Sequence, residues 1–296
     1  HILKVGGIDC SAFLGGVPTN YGSNFIEGKS NVMIVEADEF DKSFLHLNPT
    51  IILISALDRD HLDTYPTLED MLSGYTEFIL NSYKSKKLQK LILKRGLKNK
   101  LNSISSLPGQ IEYSINSSAK EGYVLELNFL GEKHELKFLK QGEHIMSFNI
   151  PLMPHHNIEN FLASSCIALE LGIKPESIIQ AVYSFSGISR RFEYHIKNKT
   201  QIFIEDYAHH PKEIDVLISS VRNMYPSQKI TLIFQPHLFS RTKDFLDDFA
   251  TALSKVDMLI LLDIYGAREF PIKGFSIDNL FCAIHLKNKK LISNND

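Results

Sequence analysis

The chain has 296 residues, 44% of them hydrophobic and 22% charged, with a formal net charge of −2. That balance is ordinary for a globular protein and gives no general attraction to nucleic acid or to an anionic membrane. The length suits two domains better than one core, and no apolar run reaches the roughly 18 residues of a membrane span.

Three scattered cysteines, Cys10, Cys166 and Cys282, form no pairing pattern and suit a reducing compartment. The opening residues, His1-Ile2-Leu3-Lys4-Val5-Gly6-Gly7, lack the character of a signal peptide and read as the end of a helix. With no initiator methionine, the chain reads as a fragment.

Residues 31–35 and 50–54 are short, apolar and rich in β-branched side chains, as parallel strands buried on both faces should be. The first ends at Glu36-Ala37-Asp38-Glu39 and the second near Asp58-Arg59-Asp60-His61. From Thr67, a plausible N-cap, the residues Leu68, Met71, Leu72, Tyr75, Phe78 and Ile79 recur at helical spacing. Residues 84–100 are dense in lysine, and such a run is most often a solvated helix face. Residues 101–150 read as irregular β structure, with a hairpin around Gly131 pairing 124–128 with 134–138. A helix is expected from about Ile158 to Leu171, stopped by Gly172, and another from Pro175.

Beyond Gly187 the texture changes. Strands at 201–204, 230–234 and 258–262 alternate with helix-like stretches at 211–225 and 241–254. That alternation predicts right-handed βαβ units and a parallel sheet, with a domain boundary near residue 187.

Two polar strings follow these strands: Glu205-Asp206-Tyr207-Ala208-His209-His210-Pro211, and Gln235-Pro236-His237-Leu238-Phe239-Ser240-Arg241-Thr242. Open α/β sheets bind ligands at the carboxyl ends of their strands. An imidazole there can accept a proton from an attacking amine, and Arg241 can clamp a carboxylate with two hydrogen bonds. A hydrated loop cluster with a helix cap would look similar, but two such strings favour function.

Other candidates are weaker alone. Glu36 and His61 could share a divalent cation, although a capping acid and a surface histidine fit the spacing better. Asn157 and Asn160 could meet the edge of a purine, but capping by Asn157 is the plainer reading. Arg191, beside Arg190, could reach a phosphate or lie solvated. The chain has no phosphate-loop motif, no paired-cysteine zinc site and no Gly-x-Ser-x-Gly elbow.

Taken together, the strings resemble the Mur ligase family, and within it the alanine-adding branch. The stretches that carry the resemblance are Glu36-Ala37-Asp38-Glu39-Phe40-Asp41, Asp60-His61-Leu62-Asp63-Thr64-Tyr65, His156-Asn157-Ile158-Glu159-Asn160 and Arg190-Arg191-Phe192-Glu193. To these add Asp206-Tyr207-Ala208-His209-His210-Pro211, Phe234-Gln235-Pro236-His237 with Ser240-Arg241-Thr242, and Asp263-Ile264-Tyr265.

The resemblance implies an α/β fold: the remainder of a central P-loop-type ATPase domain with a mostly parallel sheet over 1–187, then a Rossmann-like amino-acid-binding domain over 188–296. A UDP-binding domain and the phosphate loop would lie upstream, and the 296-residue chain alone would not turn over. ATP and Mg2+ are the implied cofactors, UDP-N-acetylmuramate and L-alanine the implied substrates, and the bacterial cytoplasm the implied location. Neither nucleic acid nor a membrane is expected as a partner.

Residue by residue, the resemblance makes Glu36 and His61 metal ligands, Asn157 and Asn160 adenine-side groups, Arg191 a phosphate-facing arginine and Asp206 an acid near the nucleotide. Tyr207, His209, His237 and Arg241 would hold the amino acid and the muramyl end, with His209 and Arg191 in catalytic roles. Leu238 departs from the arginine of some members, Ala208 from the usual glycine and His155 from the usual surroundings of the asparagine helix. Residues 84–150 match poorly. Two alternatives stay open: a related ligase that adds a whole tripeptide, and a metal-dependent hydrolase built on the histidine and aspartate strings. A non-catalytic binding module is a third.

Overall fold

The computed structural model of the protein describes residues 1–57, 64–104, 106–118, 121–130 and 133–292. The chain divides into two compact units, His1–Ser189 and Arg190–Asp296.

In the first unit, a short helix α1 (Ile2–Val5) leads into β1 (Ser11–Phe13), β2 (Phe25–Ile26) and β3 (Met33–Val35). These form a small sheet in the order β2-β1-β3, with β1 antiparallel to β2 and parallel to β3. Then come β4 (Ile51–Ile54), α2 (Leu68–Lys84), β5 (Lys90–Lys94), α3 (Leu97–Lys100), β6 (Gln110–Ile115), β7 (Tyr123–Leu130), β8 (Lys133–Lys140) and β9 (Glu143–Pro151). Helices α4 (His155–Glu170) and α5 (Pro175–Ser184) close the unit. Strands β4 to β9 form one sheet in sequence order; β4 to β7 pair in parallel, and β8 is antiparallel to both β7 and β9.

Side chains alternate across β5, so each face of that sheet takes its own helix. Ile92 joins Ile158, Leu162 and Cys166 of α4. Leu91 and Leu93 join Met71, Tyr75, Phe78 and Ile79 of α2. That two-sided cover explains why β5 is a continuous apolar run, fully buried between Lys90 and Lys94. The lysine-dense stretch is therefore not one solvated helix face; its lysines flank a central strand and a short helix. Thr67 caps α2 as expected: its hydroxyl accepts the Asp70 N–H and the Asp70 carboxylate accepts the Thr67 N–H.

Two expectations are corrected in this unit. Strand β3 is not buried on both faces: it lies at the edge of the small sheet beside β1, with Met33 59% and Val35 39% exposed. Helix α4 starts at His155 with Pro154 as its cap, so Asn157 sits inside the first turn rather than capping it. The expected pairing of 124–128 with the strand after Gly131 is present as β7 and β8, extended by β9.

In the second unit, β10 (Glu193–Lys197) and β11 (Ile202–Glu205) form an antiparallel hairpin. Helix α6 (Pro211–Met224), β12 (Thr231–Phe234), α7 (Phe239–Asp244), α8 (Leu246–Leu253), β13 (Met258–Leu262), α9 (Ile277–Ala283) and β14 (Lys289–Ile292) follow. Strands β12, β13 and β14 make the parallel sheet. Its core joins Ile214 and Ile218 of α6, Phe249 and Leu253 of α8, Leu259 and Leu261 of β13 and Leu280 of α9.

The parallel sheet predicted to contain 201–204 does not take that strand. The Asn198 carboxamide accepts the N–H groups of Thr200 and Gln201 and folds β10 back onto β11. The expected 241–254 helix is broken at Phe245 into α7 and α8.

Candidate functional site

In the first unit, the loop after β3 sets Glu36. Its N–H donates to the Phe13 carbonyl at 2.9 Å, which fixes the backbone. Its carboxylate Oε2 accepts the Gly15 N–H at 2.8 Å. A Cβ on Gly15 would lie 2.8 Å from Oε1, so only glycine leaves room for the carboxylate here. The result is an exposed, oriented oxygen donor of the hard type that Mg2+ takes. His61 lies outside the described residues.

Asn157 and Asn160 are three residues apart on α4, which puts them on neighbouring positions of one helix face. Asn157 is half-buried and Asn160 exposed. Glu159 between them pairs with Lys94 of β5 at 2.8 Å, tying the start of α4 to the sheet.

The second unit gathers most of the predicted groups. Asp206 braces the loop after β11: Oδ1 accepts the Ala208 N–H and Oδ2 the Phe192 N–H, both at 2.8 Å. Tyr207, 45% exposed, has the Arg190 and Arg191 guanidinium carbons 5.2 and 5.5 Å from its ring centre. Arg190 is held there by Glu205, which accepts from its Nε at 2.9 Å.

The Tyr207 ring meets His209 at 5.2 Å, His209 meets His237 at 6.5 Å, and His237 meets Tyr265 at 5.6 Å. Tyr207, His209, His237 and Tyr265 thus form a row of rings over the ends of β11, β12 and β13.

Proton positions follow from the partners. His209 Nδ1 lies 2.9 Å from the Tyr207 carbonyl oxygen, which can only accept. Nδ1 therefore carries the hydrogen and Nε2 of the neutral ring is the proton acceptor. His237 titrates below the usual histidine range. Burial disfavours its cation first, then the neighbouring Arg241, His209 and Arg268 charges; Glu269 opposes them. At neutral pH His237 is accordingly neutral.

One further cluster lies outside the predicted set. Among the described residues, Glu193, His195 and Glu205 bring ligand atoms within 4.8 Å of one another. Glu205 already accepts from His195 at 2.8 Å and from Arg190, and those bonds hold its carboxyl below the ordinary range. It contains neither His209 nor His237. Glu269 and Glu213 were also missed from sequence. Glu213 accepts the His209 and His210 N–H groups at 3.0 and 3.2 Å and completes a capping box at the start of α6. Its signal was the His210-to-Glu213 spacing before an apolar run.

Comparison with known proteins adds an independent line. Residues 21–168 match the Mur ligase middle domain, and residues 190–285 match the Mur ligase glutamate ligase domain. A UDP-N-acetylmuramate–L-alanine ligase of Flavobacterium psychrophilum is 39% identical over 100% of this chain and 63% of its own length. The chain belongs to the Mur ligase family. A second ligase of the same name, from Christiangramia forsetii, is 41% identical over 99% of the chain and 62% of its own length. The chain thus spans less than two thirds of these Mur ligases.

Solved Mur ligases share the fold. The UDP-N-acetylmuramate–alanine ligase of Thermotoga maritima aligns with TM-score 0.75 at 22% identity, covering 99% of this chain and 63% of that one. MurF from the same organism, solved with ADP, aligns with TM-score 0.66 at 16% identity, covering 100% of this chain and 66% of that one. The α/β architecture expected from the strings is the architecture of the family. Among the described residues no helix is long and apolar enough to cross a membrane.

Proposed function

We propose that the complete protein uses ATP to join L-alanine to the lactyl carboxylate of UDP-N-acetylmuramate, in the bacterial cytoplasm. The observation that carries the reading is the row Tyr207–His209–His237 with the Arg241 charge acting on it, on a chain whose 36–41% identical relatives bear that activity as their name. The first unit would hold ATP and the second the amino acid.

In the first step the carboxylate oxygen attacks the γ-phosphorus and ADP leaves, giving an acyl phosphate. Two anions must approach, so positive charge is required. Arg191 supplies a guanidinium suited to phosphate oxygens. Glu36, with its carboxylate set by Gly15, and His61 would hold Mg2+, whose chemistry here is to neutralise phosphate charge. Asn157 and Asn160 have the donor and acceptor pairs to meet the adenine edge.

In the second step the neutral amine of alanine attacks the acyl carbon. A tetrahedral intermediate forms, the C–O bond to phosphate breaks, and the amine loses a proton. His209 Nε2 takes it in this reading, which the commitment of Nδ1 to the Tyr207 carbonyl supports. Arg241 clamps the alanine carboxylate. Asp206 acts by tying the loop after β11, which presents Tyr207 and His209, to the Phe192 backbone.

The test is ADP formation by the complete gene product with each substrate omitted in turn. The reading expects turnover only when ATP, UDP-N-acetylmuramate and L-alanine are all present. Turnover with a tripeptide in place of alanine would instead make it the recycling ligase. Hydrolysis without ATP would make it a metal-dependent hydrolase.

A further inference from the structure

The turn that carries His237 and leads into α7, where Arg241 lies, is strained. Leu238 has φ 71° and ψ 133°, a left-handed backbone that a non-glycine side chain adopts only when its surroundings impose it. The loop after β13 supplies those surroundings. The Leu238 N–H donates to the Tyr265 carbonyl at 2.9 Å, and the Tyr265 N–H donates to the Pro236 carbonyl at 2.8 Å. The Leu238 carbonyl accepts the Thr242 hydroxyl at 2.7 Å.

One side chain of that loop grips the turn. Glu269 accepts the Ser240 N–H on Oε2 at 2.9 Å and the Ser240 hydroxyl on Oε1 at 2.5 Å. The approach is close because residue 266 is glycine: a Cβ there would lie 2.8 Å from the Phe239 ring and 2.9 Å from the Glu269 carbonyl oxygen. Burial opposes the charge on Glu269, but the Ser240 and Phe239 donors outweigh it and keep the carboxylate ionised.

We infer that Glu269 is a positioning residue of the amino-acid subsite: by holding Ser240 through both oxygens it fixes the first turn of α7 against the 235–238 loop, so that His237 and Arg241 face one amino-acid ligand. The inference rests on the ligase reading for the identity of that ligand. Its geometry stands without it. The alternative explanation of any Glu269 effect is charge, since Glu269 is the anion opposing Arg241, His209 and Arg268 around His237.

Two variants separate position from charge. Glu269→Gln loses the charge but can still accept the Ser240 N–H and donate to its hydroxyl oxygen. Glu269→Ala loses both contacts. In the complete gene product, Glu269→Ala should raise KM for L-alanine about tenfold or more, as misplacement of a binding group does. KM for ATP should stay within about twofold. Glu269→Gln should restore most of the alanine affinity. Ser240→Ala, which removes one of the two contacts, should give an intermediate rise and serves if Glu269→Ala does not fold.

Amide hydrogen exchange of Ser240, read without turnover, should accelerate in Glu269→Ala and stay near wild type in Glu269→Gln. If wild-type protein shows no alanine-dependent turnover, the ligase reading has failed while the exchange result still decides the positioning. Equal losses in the Ala and Gln variants would assign the effect to charge and overturn the inference. So would an unchanged alanine KM together with unchanged Ser240 exchange in Glu269→Ala.

Discussion

His209 and His237 meet edge to face, with ring centroids 6.5 Å apart and planes inclined by 73°. They sit on loops after β11 and β12, which belong to different sheets. Loop bracing, not strand pairing, makes the contact. Asp206 and Glu213 fix the His209 loop, and Tyr265 and Glu269 fix the His237 turn.

That arrangement sets the His237 titration. Burial comes first among its causes, and the Arg241 cation next. A cation beside an imidazole disfavours protonation, so Arg241→Gln should raise the His237 pKa toward the ordinary value. Ring-proton NMR across pH 5 to 8 reads this directly, and an unchanged or lower midpoint would remove Arg241 from the site.

His209 is assigned the proton from the attacking amine. His209→Gln keeps a polar side chain but no base. It should lower kcat about 100-fold, the low end for loss of a general base, with KM for ATP little changed. Steady-state kinetics of the complete gene product check this.

The place of Glu36 can be tested without touching it. In Gly15→Ala the new methyl meets Glu36 Oε1, the end of a mobile side chain, so the carboxylate moves and the fold survives. The Mg2+ concentration for half-maximal ATP turnover should rise several-fold, with Tm within a few degrees. An unchanged Mg2+ requirement would argue that Glu36 is not a ligand.

Stability against acid should depend on Glu170, at the carboxyl end of α4. Its side chain is only 7% exposed, which disfavours charge. Hydrogen bonds from Lys90, Lys140 and the Tyr123 hydroxyl overcome that and hold its pKa at about 2. A carboxylate depressed below its unfolded value stabilises above the unfolded pKa, near 4.5, and loses that contribution as pH falls toward 2. Glu170→Gln should therefore cost roughly 2 kcal/mol at pH 7, and the gap to wild type should narrow steadily between pH 5 and 2. Urea titrations at several pH values give both numbers.

Much of this was legible in the sequence because local chemistry decided it. Thr67 as an N-cap, Pro175 at a first helical position, and the hairpin of β7 and β8 follow from capping, φ restriction and alternation. What was not legible depends on partners distant in sequence. Residues 201–204 read as a parallel strand, yet the polar alternation of Glu193-Tyr194-His195-Ile196-Lys197 supplies an antiparallel neighbour. Residues 31–35 read as doubly buried, yet β3 lies at a sheet edge. Glu269 was missed because nothing in Arg268-Glu269-Phe270 marks it; only the fold brings that loop to Ser240.

The central claim is that a muramyl carboxylate is activated as an acyl phosphate and then captured by alanine. The most direct measurement uses UDP-N-acetylmuramate with an 18O-labelled lactyl carboxylate, ATP and L-alanine, and the complete gene product. The account predicts one 18O in each inorganic phosphate released and the other in the new amide. Unlabelled phosphate, or release that does not require alanine, would contradict it.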